Sequence, residues 1–264
     1  MPWCERPDVR VHYEVSGDGP PLLLLNGLVA SGFLWPRPWL DRFGEAYTVI
    51  RVSNRGTGHT PLTDGITIDA LAADALAVLD ECGAGRAHVL GFSMGGMIAQ
   101  AVTLAQPERV AGLALCSTTT GGEADAHPEF LGALAATQGD AVSAFSSFIH
   151  LLTGPGFWDD NPEMVADLAA GWQQAPTPPE TSFAQLVAVA AFDTRELAAT
   201  IGSPVLILHG IEDRLIMPVG GERLAATIPG SRLEIFEGVG HMLPFEATER
   251  AGDLIEAFLA PIRV

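Results

Sequence analysis

The run Gly91-Phe92-Ser93-Met94-Gly95-Gly96 lies between a short apolar stretch, Ala87–Phe92, and a helical stretch, Met97–Gln106. A serine at such a strand-to-helix turn is held in a strained backbone geometry, and the flanking glycines let strand and helix approach closely. Its hydroxyl is then exposed at a helix N-terminus, where free amides and the positive dipole end favour a developing anion. The chemistry this suits is nucleophilic attack on a carbonyl. A neutral hydroxyl performs it only beside a base that a third group orients. The competing reading is a Gly-rich turn with an incidental serine, and the matched strand and helix on either side weigh against it.

Two later segments can supply the partners. Val205-Leu-Ile-Leu-His-Gly210 reads as a buried strand followed by Ile-Glu-Asp-Arg, which sets Asp213 in the loop at that strand's C-terminal end. After a further strand, Arg232–Glu237, comes Gly238-Val-Gly-His241-Met-Leu-Pro-Phe-Glu246, so His241 falls in the next loop on the same side. Glu212 is a rival acid, but as the neighbour of Asp213 it points away. The loop after Val110–Cys116 could also carry an acid, yet it reads Ser117-Thr-Thr-Thr-Gly-Gly. His209 reads as a structural group at a strand end, and His12, His59, His88, His127 and His150 have no comparable setting.

The elements that must position these residues follow from hydrophobic patterning. Val9–Ser16 alternates as a strand, and Gly17–Pro21 is a turn. Leu22–Leu25 is a short continuous apolar run, the mark of a strand buried on both faces. Tyr47–Ser53, Ala87–Phe92, Val110–Cys116 and Val205–Leu208 repeat that type. Between them, Ile68, Leu71, Ala72, Ala75, Leu76 and Leu79 have amphipathic helical spacing. Buried strands alternating with helices predict an α/β fold: a mainly parallel twisted sheet with helices on both faces. From Glu123 to about Gly202 no buried strand is evident, which predicts a helical cap (123–202) inserted between core segments 1–122 and 203–264, over the strands' C-terminal ends.

Composition excludes several classes. The 264 residues carry 32 acidic and 14 basic side chains, a formal net charge of −18, and every basic residue is arginine. Absence of lysine removes Schiff-base chemistry, and the negative field argues against nucleic acid as a partner. Cys4, Cys82 and Cys116 are too few and too scattered for a disulfide framework or a zinc site. The apolar stretches 19–36 and 89–107 are interrupted by Gly, Asn, Ser, Gln or Pro, so no membrane span is expected. The start lacks the basic residues and apolar run of a signal peptide, and a cytoplasmic location is expected.

The order Ser93, Asp213, His241 and the turn around Ser93 resemble the α/β-hydrolase family over nearly the whole chain. The resemblance is to the capped subgroup of small bacterial esterases, lactonases and cofactor-free haloperoxidases. Members usually have His-Gly after the third strand; here the stretch is Asn26-Gly27-Leu28. By resemblance the oxyanion-hole donors are the backbone amides of Leu28 and Met94, and the Asn-for-His exchange leaves a backbone donor in place. The family's Asp-x-Arg-Gly-x-Gly-x-Ser segment stands here as Ser53-Asn54-Arg55-Gly56-Thr57-Gly58-His59-Thr60. The resemblance implies acyl transfer through a covalent Ser93 intermediate, with no metal or organic cofactor.

From Glu123 through Thr194 there are ten acids and no cation. The same stretch holds eight aromatics, of which Trp158, Phe145 and Phe148 are the candidate substrate contacts. Gly91–Gln100 is similar to 3-oxoadipate enol-lactonases, whose substrate carries a carboxylate that a cation-free stretch such as 123–194 attracts poorly. Asn26-Gly27 and Asn54-Arg55-Gly56 are closer to methylesterases acting on anthracycline-type polyketides. The expected partner is therefore a neutral or cationic, fairly apolar ester or lactone. Core arginines such as Arg55 or Arg37 would overturn this if they faced the cleft. Peroxide-dependent perhydrolysis, ligand binding without turnover, and an isomerase or cyclase reaction are the competing uses of the same fold. Homo-oligomerisation stays open.

Overall fold

A computed structural model describes residues 2–122, 128, 151–174 and 177–264. In chain order these form β1 (Trp3–Glu5), β2 (Arg10–Ser16), β3 (Pro21–Leu25), α1 (Arg37–Ala46), β4 (Thr48–Val52), α2 (Ile68–Glu81), β5 (Ala87–Phe92), α3 (Met94–Ala105) and β6 (Val110–Cys116). There follow α4 (Phe157–Asp160), α5 (Pro162–Gln174), α6 (Pro179–Ala190), β7 (Val205–Gly210), α7 (Val219–Thr227), β8 (Arg232–Phe236), α8 (Leu243–Glu246) and α9 (Thr248–Leu259).

The described strands make one sheet in the order β1-β2-β4-β3-β5-β6-β7-β8. The β1–β2 and β2–β4 pairs are antiparallel, and the remaining pairs are parallel. Strands of a parallel sheet covered on both faces need apolar residues at every position, and β3 has them: Leu22, Leu23, Leu24 and Leu25 are all fully buried. Alternation then divides the core into two layers. Leu23, Leu25, Val89, Leu115 and Ile207 face α2, α3 and α7. Leu22, Leu24, Leu90, Phe92, Leu206 and Leu208 face α1, α8 and α9.

The expected strands and the helices around 68–79 and 97–106 are present, with boundaries shifted by a few residues at most. α2 starts at Thr67, whose hydroxyl accepts from the Ala70 amide at 3.0 Å, and ends at Gly83, which takes the left-handed conformation at φ 67. Between β6 and β7 the described elements are the helices α4, α5 and α6 and a one-turn 3₁₀ helix at Ala198–Thr200. Among the described residues no helix is long and apolar enough to cross a membrane.

Register fixes where loops meet. Leu25 pairs with Gly91, Phe92 with Cys116, Cys116 with Leu208, and Gly210 with Phe236. The chain therefore leaves β3, β5, β7 and β8 along one edge of the sheet, at Asn26, Ser93, Ile211 and Glu237.

At the other flank, the His12 ring on β2 is fully buried between Trp3, Phe33 and His59. Neither ring nitrogen has a hydrogen-bond partner among the described residues. Burial, then repulsion from His59 and Arg51, pushes its pKa down to about 4, against about 6.5 for an exposed histidine. Between those values the unfolded chain binds a proton that the folded one refuses, so stability is lost as pH falls from 6.5 towards 4. We expect His12→Phe to recover about 1–2 kcal/mol at pH 5 and nothing at pH 8. Thermal unfolding at the two pH values measures this. Equal acid sensitivity of variant and parent would contradict it.

Candidate active site

Ser93 has φ 56 and ψ −121 at the junction of β5 and α3, a region that a non-glycine residue occupies only under constraint. The constraints are visible. The Ser93 amide donates to Cys116 O at 2.9 Å, while its carbonyl accepts from the Gly96 amide and the Thr118 hydroxyl, each at 2.8 Å. A Cβ on Gly91 would come within 2.3 Å of Gly95 O, and one on Gly95 within 1.9 Å of Leu25 O. Glycine is thus required on both sides of the serine.

The edge register brings the three sequence-predicted side chains together. Ser93 Oγ is 2.9 Å from His241 Nε2, and His241 Nδ1 is 2.8 Å from Asp213 Oδ2. All three residues are buried, and the His241 ring packs against Phe92, with centroids 5.3 Å apart. Asp213 Oδ1 accepts from the amides of Leu215 and Ile216, both at 2.9 Å. Burial raises the Asp213 pKa, but His241 and His209 outweigh it and hold the carboxyl at about 2. An ionised Asp213 keeps the His241 proton on Nδ1, so that Nε2 accepts from the Ser93 hydroxyl.

The rival acids are placed elsewhere. Glu212 is half-buried, and the carboxylate against His241 Nδ1 is that of Asp213. The loop after β6 presents Thr118 to the serine turn, with no carboxylate as far as Gly122.

Asn26-Gly27-Leu28 lies directly against the serine: a Cβ on Gly27 would be 3.1 Å from Ser93 Cβ. Asn26 shapes this turn through its side chain. Its Nδ2 donates to Ser31 O at 3.0 Å and Leu34 O at 2.9 Å, and its Oδ1 accepts from the Gly27 amide at 2.8 Å. The Met94 amide is in the first turn of α3, where helical amides have no partner within the helix. Among the described residues the Leu28 amide donates to no backbone acceptor.

Near these three side chains lie His209, read in the sequence only as structural, and two residues given no role there, Glu246 and Gln185. His209 Nε2 donates to Ile216 O at 2.8 Å and lies 3.2 Å from Asp213 Oδ2. The available signal was its i, i+4 spacing to Asp213 across a strand end. Glu246 Oε2 accepts from the Gly240 amide at 3.0 Å and the Gly154 amide at 2.6 Å, which ties the His241 loop to the segment before α4. Burial pushes the Glu246 carboxyl up, partly offset by those two amides. Gln185, on α6, reaches the loop after β3 from the insertion.

Of the candidate substrate contacts, Trp158 is on α4, half-buried and edge-to-face with Phe157 at 5.2 Å. It packs against the core layer that contains Phe92 and Met242. Phe145 and Phe148 lie outside the described residues. The two arginines named as examples of a possible cleft cation are engaged otherwise. Arg55 donates to both Asp74 oxygens at 2.7 and 2.9 Å and to Asp8 at 2.6 Å. Arg37 is 83% exposed beside Asp41 on α1.

A family model described as alpha/beta hydrolase fold matches residues 20–248. A relative from Variovorax paradoxus, assigned provisionally as carbamate hydrolase RutD, is 30% identical over 88% of this chain and 89% of its own. The 3-oxoadipate enol-lactonase 2 of Acinetobacter baylyi is 30% identical over 96% of this chain and 94% of its own. Among solved structures, Est816, described as an N-acyl homoserine lactone degrading enzyme, superposes with a TM-score of 0.86 at 28% identity, covering 97% of this chain and all of its own.

Proposed function

The chain belongs to the α/β-hydrolase fold family, and from that premise we propose that it is a serine hydrolase of neutral or cationic, fairly apolar carboxylic esters or lactones. The observation that carries this reading is the hydrogen-bonded line Asp213–His241–Ser93, at 2.8 and 2.9 Å, on a strained turn beside two backbone amides. In the proposed reaction Ser93 Oγ attacks the carbonyl carbon as its proton passes to His241 Nε2. The oxyanion is received by the amides of Leu28 and Met94. His241 returns the proton to the leaving alkoxide oxygen as the C–O bond breaks, leaving an acyl-Ser93. Water, giving its proton to His241, then attacks the acyl carbon; the bond to Ser93 Oγ breaks, Oγ takes that proton back, and the acid leaves. Residues 123–202 form the cap in this reading, with Trp158, Phe145 and Phe148 as its apolar contacts to substrate.

Relatives and neighbours include lactonases with different substrate charges, so charge is the discriminating property. An enol-lactone of 3-oxoadipate carries a carboxylate, whereas an N-acyl homoserine lactone is neutral. The ten acids and absence of any cation from Glu123 through Thr194, the engagement of Arg55 with Asp74 and Asp8, and the outward position of Arg37 disfavour the anionic class. We expect kcat/KM for a neutral p-nitrophenyl ester or lactone to exceed that of its ω-carboxylate counterpart by about tenfold or more at low salt. The gap should narrow as salt screens the field. Equal or better turnover of the anionic partner would overturn the charge preference. Turnover of neither class, with peroxide-dependent oxidation instead, would favour the perhydrolase reading.

A further inference from the structure

Val29 follows the Leu28 amide and has φ 56, a left-handed conformation that a β-branched residue avoids. Both of its peptide groups are gripped from the insertion. Its amide donates to Gln185 Oε1 at 2.7 Å, and its carbonyl accepts from the Thr177 hydroxyl at 2.7 Å. Gln185 lies 156 residues away on α6 and is fully buried. Its Nε2 donates onward to Arg55 O at 3.2 Å, and one helical turn earlier the Thr181 hydroxyl donates to Gly56 O at 3.1 Å. A Cβ on Gly56 would strike Thr181 Oγ1 at 2.4 Å, so α6 sits directly on the loop after β4. A strained turn is retained only where its surroundings over-determine it, and here those surroundings are supplied by a helix outside the sheet.

We propose that Gln185 is a positioning residue for the oxyanion hole, holding the Leu28 amide in line through Val29, so that the hole is complete only while α6 is seated. This rests on the serine-hydrolase reading above. It makes seating of the insertion and competence for acyl transfer one event.

The test is Gln185→Met, which keeps the length of the side chain and loses both hydrogen bonds. We expect kcat for a neutral p-nitrophenyl ester to fall about 10- to 100-fold, less than full loss of a donor, with KM within threefold of the parent. An aryl trifluoromethyl ketone adds reversibly to Ser93 Oγ and places the hemiketal oxyanion in the hole. Its Ki should rise by the same factor as kcat/KM falls. Gln185→Glu keeps the acceptor for the Val29 amide and should restore most of the loss. A folded Gln185→Met with unchanged kcat, a loss confined to KM, or an unchanged ketone Ki would each overturn the proposal. If Gln185→Met does not fold, Thr177→Val, which frees the Val29 carbonyl, decides by the same three criteria, with about a fivefold fall in kcat expected. A Ser93→Ala variant as active as the parent would instead sink the underlying reading, and with it the role of the Val29 clamp in catalysis.

Discussion

In the Ser93→Ala variant, kcat/KM for a neutral ester is expected to fall by about a thousandfold or more while the fold is retained. The substitution removes only Oγ. The backbone bonds of residue 93 to Cys116 O, Gly96 N and Thr118 Oγ1 do not involve the side chain and persist. Alanine is strained at φ 56 as serine is, so the two proteins should unfold at nearly the same temperature. Residual activity over water would come from the amides of Leu28 and Met94 and from binding alone. A fluorophosphonate should label the parent once, at Ser93, and leave the variant unlabelled. Activity within tenfold of the parent, or stoichiometric labelling at another residue, would remove Ser93 from the mechanism.

That prediction could be framed from sequence because packing leaves little choice around Ser93. A side chain at Gly91 or Gly95 would collide with backbone at 2.3 or 1.9 Å, so the glycine pattern records a geometric necessity. Asp213 and His241 were legible for a related reason. Each follows a short apolar strand, and in a parallel sheet the residues after such strands share one edge. The two-sided burial of β3 and β5 to β7 makes them readable from composition as strands of a parallel sheet, while their register comes from the structure.

What escaped was contact between polar side chains far apart in sequence. Gln185 has no distinguishing setting in the sequence, and only the seating of α6 on Val29 and Arg55 O reveals that it faces inward. The Asn26 exchange looked neutral because a backbone donor survives it. In the structure its amide group makes three hydrogen bonds that fold the turn itself. Arg55 could have faced the cleft, and its fate is decided by Asp74, a buried acid on α2 whose partner no periodicity identifies. His209 read as structural, yet it lies 3.2 Å from Asp213 Oδ2.

Those contacts to Asp213 make Asp213→Asn the second large effect, with kcat expected to fall by about a thousandfold or more at neutral pH. Asparagine is isosteric, and its oxygen can still accept from the amides of Leu215 and Ile216, as Asp213 Oδ1 does at 2.9 Å. That orientation puts the side-chain NH2 where Oδ2 now faces His241 Nδ1 at 2.8 Å and His209 Nε2 at 3.2 Å. Donating to His241, it leaves Nδ1 as an acceptor and moves the ring proton to Nε2, which then donates to the Ser93 hydroxyl and can no longer take its proton. The geometry survives and the base is lost. The acid limb of the parent's profile should not report Asp213, since the carboxyl is held at about 2. Its ionised pairing adds stability above the usual carboxylate pKa near 4, and this is lost only as pH falls from there towards 2. Fluorophosphonate labelling of Ser93 should slow in Asp213→Asn in parallel with kcat, because both need Nε2 as a base. Labelling at the parent's rate, or a loss of activity below tenfold, would show that Asp213 does not set the His241 tautomer.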